Sequence, residues 1–490
     1  MQNIPQSLEQ AKLELKRVFA DCDDFCLREI SLGTDDEINI MIGFMEGLVN
    51  KQMVNADILK PIMIESHKID LKYNNIINLL QKELLTANQL TAVNSFTDAV
   101  VSILSGDTVI FISGYHTALK VDTKGWEGRP VEEPDTESVV RGPREGFIET
   151  LQTNLAMIRR KVKNPNLKFE RMKLGAQTNT DVYVCYIKGI AHEGIVDTVR
   201  KRLEEIKIDA ILESGYIEEF IEDAPFSLFP TVGSTEKPDV AAAKLLEGRV
   251  VILCDGTPFA LTVPFLFIES LQASEDYYSR FYFASLVRII RTVALVITTT
   301  LPAAYVALIS FHQDVIPFKL LLNIAASREG IPFSAFTEAL FMGITFEFLR
   351  EAGVRMPRPI GQAVSIVGAL VLGESAVSAG LVSNIMVIVT ALTAICSFMS
   401  PSLGVTTVFL RLINLAASNI MGFLGLTLSL TAFLIHLCSL RSFGVPYTAP
   451  FTPLAGADLK DTVIRYPMWA MFTRPRSITR KNVDRMNFNQ

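Results

Sequence analysis

The sequence predicts an α+β cytoplasmic domain of two duplicated α/β subdomains, followed by an α-helical polytopic membrane domain. With 49% hydrophobic and 20% charged residues, the 490-residue chain is too apolar for a typical soluble protein and too charged for a simple membrane bundle. Charged residues are dense up to Tyr282 and sparse from Val293 to Leu440. The charged half also contains an internal repeat, which accounts for the two subdomains.

The repeat is visible in two separate stretches at one spacing. In the first, two strand-like runs flank a glycine turn at Gly114 and again at Gly256, 142 residues later. In the second, an alternating apolar run begins at Asn39 and recurs from Asp181 at the same offset. Alternation of this kind is typical of half-buried strands. Two independent matches at one spacing predict a tandem duplication.

Changes in composition divide the chain into six parts. These are a first α/β subdomain (1–124), a linker with a helix (125–166), a second α/β subdomain (167–264), an interfacial connector (265–285), a transmembrane helical domain (286–440) and a basic cytoplasmic tail (441–490). Apolar residues at a 3.6-residue period predict helices between the strands of each copy, including one over Ala87–Ala99. We therefore expect each copy to combine a sheet with packed helices.

Within the linker, Arg141 and Arg144 flank a Gly-Pro pair and form a candidate anion site. The guanidinium group suits the geometry of phosphate, which is why this pair is of interest. The alternative is that the two arginines pair locally with acidic neighbours such as Glu137 and Glu145.

The apolar half contains six candidate membrane segments of unequal strength. They are Val293–Phe311, Val315–Ala326, Ile331–Leu349, Ile360–Val382, Ile385–Leu410 with a break near Pro401, and Ile413–Leu440. The second is short and reads as interfacial or re-entrant. The third contains the acids Glu338 and Glu347, so it either spans with two intramembrane acids or lies on the surface. We therefore predict four to six spans.

The segment Ile360–Val382 is long enough to cross a bilayer, at about 20 residues per span. Its Gly, Ala and Ser residues allow close helix packing, and it carries one acid, Glu374, of the kind that usually faces a bundle interior or a water-filled path. On a helix, one narrow stripe contains Gly361, Val364, Gly368, Val371 and Ser375. We predict a pore-lining or subunit-packing helix; the alternative is an ordinary buried span whose small residues only pack.

Both ends of the chain are expected on the cytoplasmic side. Residues 441–490 contain eight Lys/Arg and three Asp/Glu, and a basic segment directly after a span marks the cytoplasmic face. The N-terminus has no charged region followed by an apolar core, so we predict no signal peptide. An even number of spans satisfies both statements.

The motifs that the chain lacks argue against several functions. There is no G-x-S-x-G, no phosphate-binding G-x-x-x-x-G-K-[ST] and no H-E-x-x-H in the sequence. The six cysteines are scattered and complete no zinc site, so free thiols are expected. A net charge of −6 without a basic-aromatic surface does not suit nucleic-acid binding. We expect no enzyme and no cofactor or metal.

Several long stretches resemble the A-subunit family of bacterial spore germinant receptors. They include VVRGPREGFIETLQTNLAMIRRKVKNPNL, ASREGIPFSAFTEAL and IGQAVSIVGALVLGESAV, and the likeness runs from about Ser102 to Tyr466. The resemblance implies a multi-pass protein of the spore inner membrane, in a complex with a transporter-like B subunit and a lipoprotein C subunit. It also implies that A subunits assemble, as a pentamer, into a nutrient-gated cation channel.

Carried onto this chain, the resemblance implies a pore lined by Gln362, Val364, Ser365 and Gly368. Small residues with one branched apolar ring can gate by dewetting. Glu374 stands where the family commonly has Gln, which leaves the preferred ion open. Two alternatives follow: a scaffold subunit that conducts nothing, or a stand-alone relative of the A subunit that works with another channel.

Overall fold

The computed structural model describes residues 3–32, 38–65, 76–80, 84–85, 90–125, 137, 139–355, 373–456, 458–479 and 482–485. These residues form two α/β units and a bundle of apolar helices, which confirms the predicted fold class. The first unit contains α1 (Leu8–Val18), β1 (Phe25–Leu32), β2 (Ile38–Met45), α2 (Lys51–Met53, continued by π-helical turns Val54–Leu59 and Pro61–Glu65), α3 (Ile76–Leu79), β3 (Leu90–Val93), α4 (Phe96–Leu104), β4 (Thr108–Ile112) and β5 (Ala118–Val121).

The second unit repeats this order of elements. It contains α5 (Leu151–Lys161), β6 (Leu167–Leu174), β7 (Thr180–Ile187), α6 (Glu193–Glu205), α7 (Ser214–Ile221), β8 (Gly233–Thr235), α8 (Pro238–Leu246), β9 (Val250–Cys254) and β10 (Ala260–Val263). The strand orders are β1-β2-β4-β5-β3 and β6-β7-β9-β10-β8, and the paired strands are antiparallel. Since β1 and β6 begin 142 residues apart, the duplication is confirmed at the spacing that the sequence predicts.

The backbone conformation repeats as well. Gly106 and Gly248 lie at equivalent positions with φ of 91° and 92°. A Cβ atom at either position would lie 3.0 Å from a carbonyl oxygen, that of Leu48 or of Ile190. Only glycine adopts this left-handed conformation without strain and allows so close an approach, so both copies retain it.

Helices cover both faces of each sheet. In the second unit, α6 and α7 pack on one face, and α5 and α8 pack on the other. Helix α5 comes from the predicted linker, but Leu151, Leu155 and Ile158 lie in the core of the second unit. It is therefore the counterpart of α1, which covers the first sheet in the same way.

The predicted helix over Ala87–Ala99 is wrong in its first part. Leu90–Val93 form the edge strand β3 paired with β5, and the helix begins only at Phe96. The run Leu-Thr-Ala-Val fits both periods, and its backbone hydrogen bonds to β5 decide for the strand.

A buried ion pair joins the two units. The Arg159 guanidinium donates to both carboxylate oxygens of Asp24 at 2.8 Å and stacks 4.3 Å from the centroid of the Phe169 ring. The two charged side chains are only 1% and 5% exposed. The junction is therefore filled by a bidentate contact between α5 and the turn before β1.

Long apolar helices follow the second unit. The connector contains a 3₁₀ turn at Phe267–Leu271 and α9 (Glu275–Tyr278). The bundle contains α10 (Phe281–Phe311), α11 (Phe318–Arg328), α12 (Ala335–Arg355), a helical turn at 373–378, α13 (Asn384–Ser397), a 3₁₀ turn at Pro401–Leu403 and α14 (Gly404–Ser439). The tail begins with the short strands β11 (Arg441–Ser442) and β12 (Val445–Pro446). Within the described residues, Phe281–Phe311 and Pro401–Ser439 are long and apolar enough to cross a membrane by length and composition.

Helix α14 is a hairpin of two arms. The Ser429 hydroxyl donates to the Asn414 side chain at 2.7 Å, although 15 residues of straight helix would extend about 22 Å. The reversal lies at Gly422, where φ is 60° and ψ is −138°. The sequence predicts one unbroken span over Ile413–Leu440; in the structure, Gly422 divides it.

We call the two ends of the bundle the base and the apex. At the base, Leu403 and Leu440 pack together beside the second unit, and Leu295 of α10 packs against them. At the apex, a Cβ atom at Gly422 would lie within about 3 Å of Phe311 and His312. Helix α10 therefore runs from base to apex, and the arms of α14 run to the apex and back.

Helices α12 and α13 both run from apex to base. Ala335 and Ala339 of α12 pack with Met386 of α13 near the apex. The Phe346 ring then meets the ring of Phe398, directly after α13, with centroids 6.1 Å apart. Helix α12 therefore ends at Arg355, beyond the base. The next described residue, Gly373, lies at the apex, where a Cβ atom on it would contact Val387 of α13.

The tight hairpin predicts that Gly425→Ala destabilises the bundle by roughly 1–3 kcal/mol, the usual cost of overpacking. A Cβ atom there would lie 2.0 Å from the Ala417 carbonyl oxygen on the other arm, so the arms must separate. The control is Gly343→Ala within α12, where no atom lies within 4 Å and the helix gains up to about 1 kcal/mol. Thermal unfolding in detergent measures both, and equal effects would contradict the close approach.

Candidate functional site

The middle of the bundle contains a buried polar contact between three helical segments. The Asn414 amide donates to the Thr299 carbonyl oxygen at 2.9 Å, and its own oxygen accepts from Ser429. Asn414 is fully buried. Because both the nitrogen and the oxygen of this amide are hydrogen-bonded, Asn414 fixes the register of α10 against both arms of α14.

Glu347, one of the two predicted intramembrane acids, forms ion pairs within the bundle. One oxygen accepts from Arg411 on the first arm of α14 at 2.7 Å, and the other lies 2.6 Å from Arg350 on the next turn of α12. The Arg411 side chain is 8% exposed. The acid therefore has compensating charges from its own helix and from α14.

Glu338, the other predicted acid, lies at the apex. Its carboxylate is 3.0 Å from Arg328 of α11 and accepts from the backbone amide and hydroxyl of Ser383 at 3.0 and 2.9 Å. The Glu338 side chain has no exposed area. It therefore ties α11 and α12 to the residue that caps α13.

The predicted pore stripe is only partly described. Gly361, Gln362, Val364, Ser365, Gly368 and Val371 lie outside the described residues. Glu374 and Ser375 lie in the helical turn at 373–378, close to the apex, and both side chains are exposed in the single chain.

The candidate anion site contacts the connector through its backbone. The amides of Val140 and Arg141 donate to one oxygen of Glu275 on α9. The Arg141 and Arg144 side chains are exposed. Glu145 pairs instead with Arg160 and Lys161 of α5, at 3.5 and 3.1 Å.

A buried ionic cluster lies where α10 leaves the second unit, and the sequence did not reveal it. We call Asp276, Arg288, Arg291 and Asp461 the base network. Asp276 accepts from Arg288 at 2.9 Å and from Arg291 at 2.8 Å, and Arg288 also donates to Asp461 at 2.7 Å. Since Arg288 and Asp461 are 173 residues apart, no local spacing indicates their contact.

The base network joins three regions through charge. Asp276 belongs to the connector, Arg288 and Arg291 to the first long helix, and Asp461 to the tail. Burial raises the pKa of Asp276, but hydrogen bonds and charge from Arg291 and Arg288 outweigh this and hold it below its ordinary value. The carboxylate is therefore charged and links α10 to the connector, while Arg288 links α10 to the tail.

A pH-dependent stability is expected from Glu218 on α7. Burial, followed by the negative charges of Glu222 and Glu213, raises its pKa from 4.5 to about 7. Because the folded state favours the protonated acid, its stabilisation is complete below 4.5 and is lost as the pH rises through about 7. We expect Glu218→Gln to raise the unfolding temperature above that pKa and to leave it unchanged below 4.5.

The matched control is Glu219→Gln, on the exposed side of the same helix. Unfolding temperatures of the two variants and the parent chain across this pH range measure the difference. The same pH-dependent gain in both variants would contradict the assignment to Glu218.

The fold and the base network define a class of protein in which a duplicated α/β domain is held by charge against a bundle of long apolar helices. The family model described as Bacillus/Clostridium GerA spore germination protein matches residues 13–477. The chain is 45% identical over 489 residues to spore germination protein KA of Bacillus subtilis (strain 168), covering 99% of this chain and 89% of that protein.

Two further similarities are found. The chain is 42% identical to the uncharacterized membrane protein YfkQ of Bacillus subtilis (strain 168), covering 98% of this chain and 92% of that protein. A crystal structure of the N-terminal domain of the A subunit of the Bacillus megaterium spore germinant receptor GerK3 is 35% identical, covers 54% of this chain and 97% of that domain, and has a TM-score of 0.44. The chain belongs to the Bacillus/Clostridium GerA family of spore germination proteins, which confirms the resemblance seen in the sequence.

Proposed function

We propose that this chain is the A subunit of a nutrient-sensing spore germinant receptor. In this proposal it assembles in the spore inner membrane and forms a nutrient-gated cation channel that starts germination, together with a B and a C subunit. Family membership supports the role in germination. The observation that supports a channel is the path of the chain through the bundle.

That path leaves room for one further crossing. The chain leaves α12 at the base after Arg355 and resumes at the apex at Gly373. The sequence predicts a span over Ile360–Val382 in this part of the chain, and we propose that it makes this crossing. With α10, α12, α13 and both arms of α14, this makes six spans. An even count returns the tail to the side of the α/β units, as the contact between Arg288 and Asp461 requires.

The pore belongs on a symmetry axis between subunits. Within one chain, buried side chains such as Asn414 and Arg411 occupy the middle of the bundle. In the most apolar stretch of Pro401–Ser439, only 17% is buried within the chain, so other chains or lipid must cover the rest. A closed ring supplies such an axis, and the family resemblance suggests five subunits.

The proposed gate is Val364, and ion flux through reconstituted vesicles tests it. We expect Val364→Ala to raise basal cation flux, because a smaller apolar ring wets more readily, and Val364→Trp to abolish it. The matched control is the same pair of changes at Val405, which is exposed on α14. Flux that responds equally at both positions would contradict the pore.

The base network supports a second candidate, a scaffold that transmits a signal without conducting. Arg288 connects the soluble domain to the helices whether or not an ion passes between subunits. The same assay separates the two candidates. A chain that assembles and supports germination, but gives no flux in any Val364 variant, would be the scaffold. Since the matched relatives are named as spore germination or membrane proteins, we propose no catalytic role.

A further inference from the structure

The loop between α7 and β8, residues 224–230, rests on the helix bundle. The Ser227 hydroxyl lies 2.9 Å from Nε2 of His436, and the Leu228 carbonyl oxygen accepts from the Thr406 hydroxyl. The Phe229 ring packs in the base cluster of Leu403, Leu410, Leu437 and Leu440. The loop is therefore fixed to both arms of α14 at their base ends.

Between these fixed residues, Phe226 points away from the protein. Its side chain is fully exposed, whereas its neighbour Ser227 is anchored. A phenylalanine side chain carries about 150–250 Å² of apolar surface, which is costly to leave in water. A single exposed apolar side chain is common at protein surfaces, and it indicates a binding surface only where it adjoins other exposed apolar residues.

The position of the loop along the long axis of the bundle indicates what covers Phe226. Thr406 lies in the first turn of the first arm, and His436 lies in the last turn of the second. Along α10, Leu295 packs in the same cluster as Phe229 of the loop. Arg288 and Arg291 of the base network come earlier in α10, and so lie farther from the apex than the loop does. The loop thus lies beside the apolar part of the arms.

The outer surface of the arms is apolar at the same level. Val405, Leu434 and Ile435 are all exposed, and they are next in sequence or nearly so to Thr406 and His436, which anchor the loop, so Phe226 lies at the same end of the arms as these apolar side chains. The nearest acid in sequence, Asp223, is neutralised by Arg202 at 2.6 Å and also accepts from the amide of Phe443. An apolar tip without an unpaired charge matches the boundary between lipid headgroups and acyl chains.

We propose that residues 224–230 form a membrane anchor and that Phe226 inserts into the lipid bilayer at the base of the bundle. This rests on the membrane placement of the bundle proposed above. The apolar face of an interfacial helix is buried about 5–10 Å into the boundary between headgroups and acyl chains, and we expect a similar depth for Phe226. The anchor holds the second α/β unit at the membrane surface, next to the helices that it contacts through His436 and Thr406.

Tryptophan quenching by brominated phosphatidylcholine, in vesicles that contain the full chain, tests the anchor. The background carries phenylalanine in place of Trp126 and Trp469, the two tryptophans of the chain. A single tryptophan is then introduced as Phe226→Trp, as Leu434→Trp for a lipid reference, or as Leu13→Trp for a water reference. Leu434 and Leu13 are both exposed, on α14 and on α1 of the first unit.

We expect Phe226→Trp to emit at a shorter wavelength than Leu13→Trp. Lipid brominated near the headgroup should quench it more strongly than lipid brominated near the chain ends. Quenching at Leu434 alone would overturn the anchor and leave the membrane placement intact, whereas quenching at neither position would overturn both. A blue-shifted but unquenched tryptophan at 226 would mean that protein covers the loop, and this too would overturn the anchor.

Discussion

Replacing Asp276 with alanine is expected to cost roughly 3–5 kcal/mol of stability, the usual effect of breaking a buried ion pair. Asp276 is 2% exposed and is the shared acceptor for Arg288 and Arg291. Without it, Arg291 loses its carboxylate partner, and Arg288 retains Asp461 and the Thr462 carbonyl oxygen as acceptors. The buried positive charges then have too little compensation at the point where α10 meets the second unit.

Thermal unfolding of the purified full chain in detergent measures this loss. The control is Glu351→Ala, which removes an exposed pair with Arg355 on α12, 2.6 Å apart, and should cost at most about 0.5 kcal/mol. If the two variants melt alike, the base network does not stabilise the junction. We also expect Asp276→Ala to reduce the response of spores to nutrient more than its effect on protein abundance explains, because the connector, α10 and the tail become uncoupled.

Asp24→Ala is expected to have a comparable effect at the junction of the two α/β units, again roughly 3–5 kcal/mol. It leaves the Arg159 guanidinium buried and donating to the Leu167 carbonyl oxygen, but without the carboxylate that balances its charge. The control is Asp21→Ala. Asp21 joins the same two units through Lys188 at 3.2 Å, but both of these side chains are about half exposed.

The Asp21 variant should lose no more than about 1 kcal/mol, because an exposed pair is screened by water. Since both pairs cross the same junction, burial is the variable that separates them. A double variant, Asp24→Leu with Arg159→Met, should recover most of the lost stability, because it removes both charges at once. Failure of this recovery would indicate that the geometry of the pair, and not the unpaired charge, maintains the junction.

The local parts of the fold could be predicted from the sequence because they are encoded within a few turns of chain. Alternation and spacing predicted the duplication, and the structure repeats it down to Gly106 and Gly248. Periodicity failed at Leu90–Val93, where four residues fit either a strand or a helix and the edge of β5 decided. The composition of the linker also concealed that α5 belongs to the second sheet.

Two acids in the bundle were selected from the sequence by residue type, but their partners are known only from the structure. Hydropathy singled out Glu338 and Glu347 as acids in an apolar region, and the structure gives each an arginine, Arg328 and Arg411. The pore stripe around Val364 remains a proposal from sequence and family. The sequence assigned no role to the Phe226 side chain, because the position of a phenylalanine in a loop becomes informative only beside the arms that anchor its neighbours.

By itself, the sequence determined that the chain has a duplicated α/β half and an apolar helical half, and that it resembles spore germination proteins. Only the tertiary structure decided that α14 turns back at Gly422, that α12 descends to the base, and that Arg288 meets an acid 173 residues away. The physical reason is the distance along the sequence between the residues that make contact. Periodicity and composition reflect contacts between near neighbours, whereas a buried charge or a glycine turn depends on which distant groups the complete fold brings beside it.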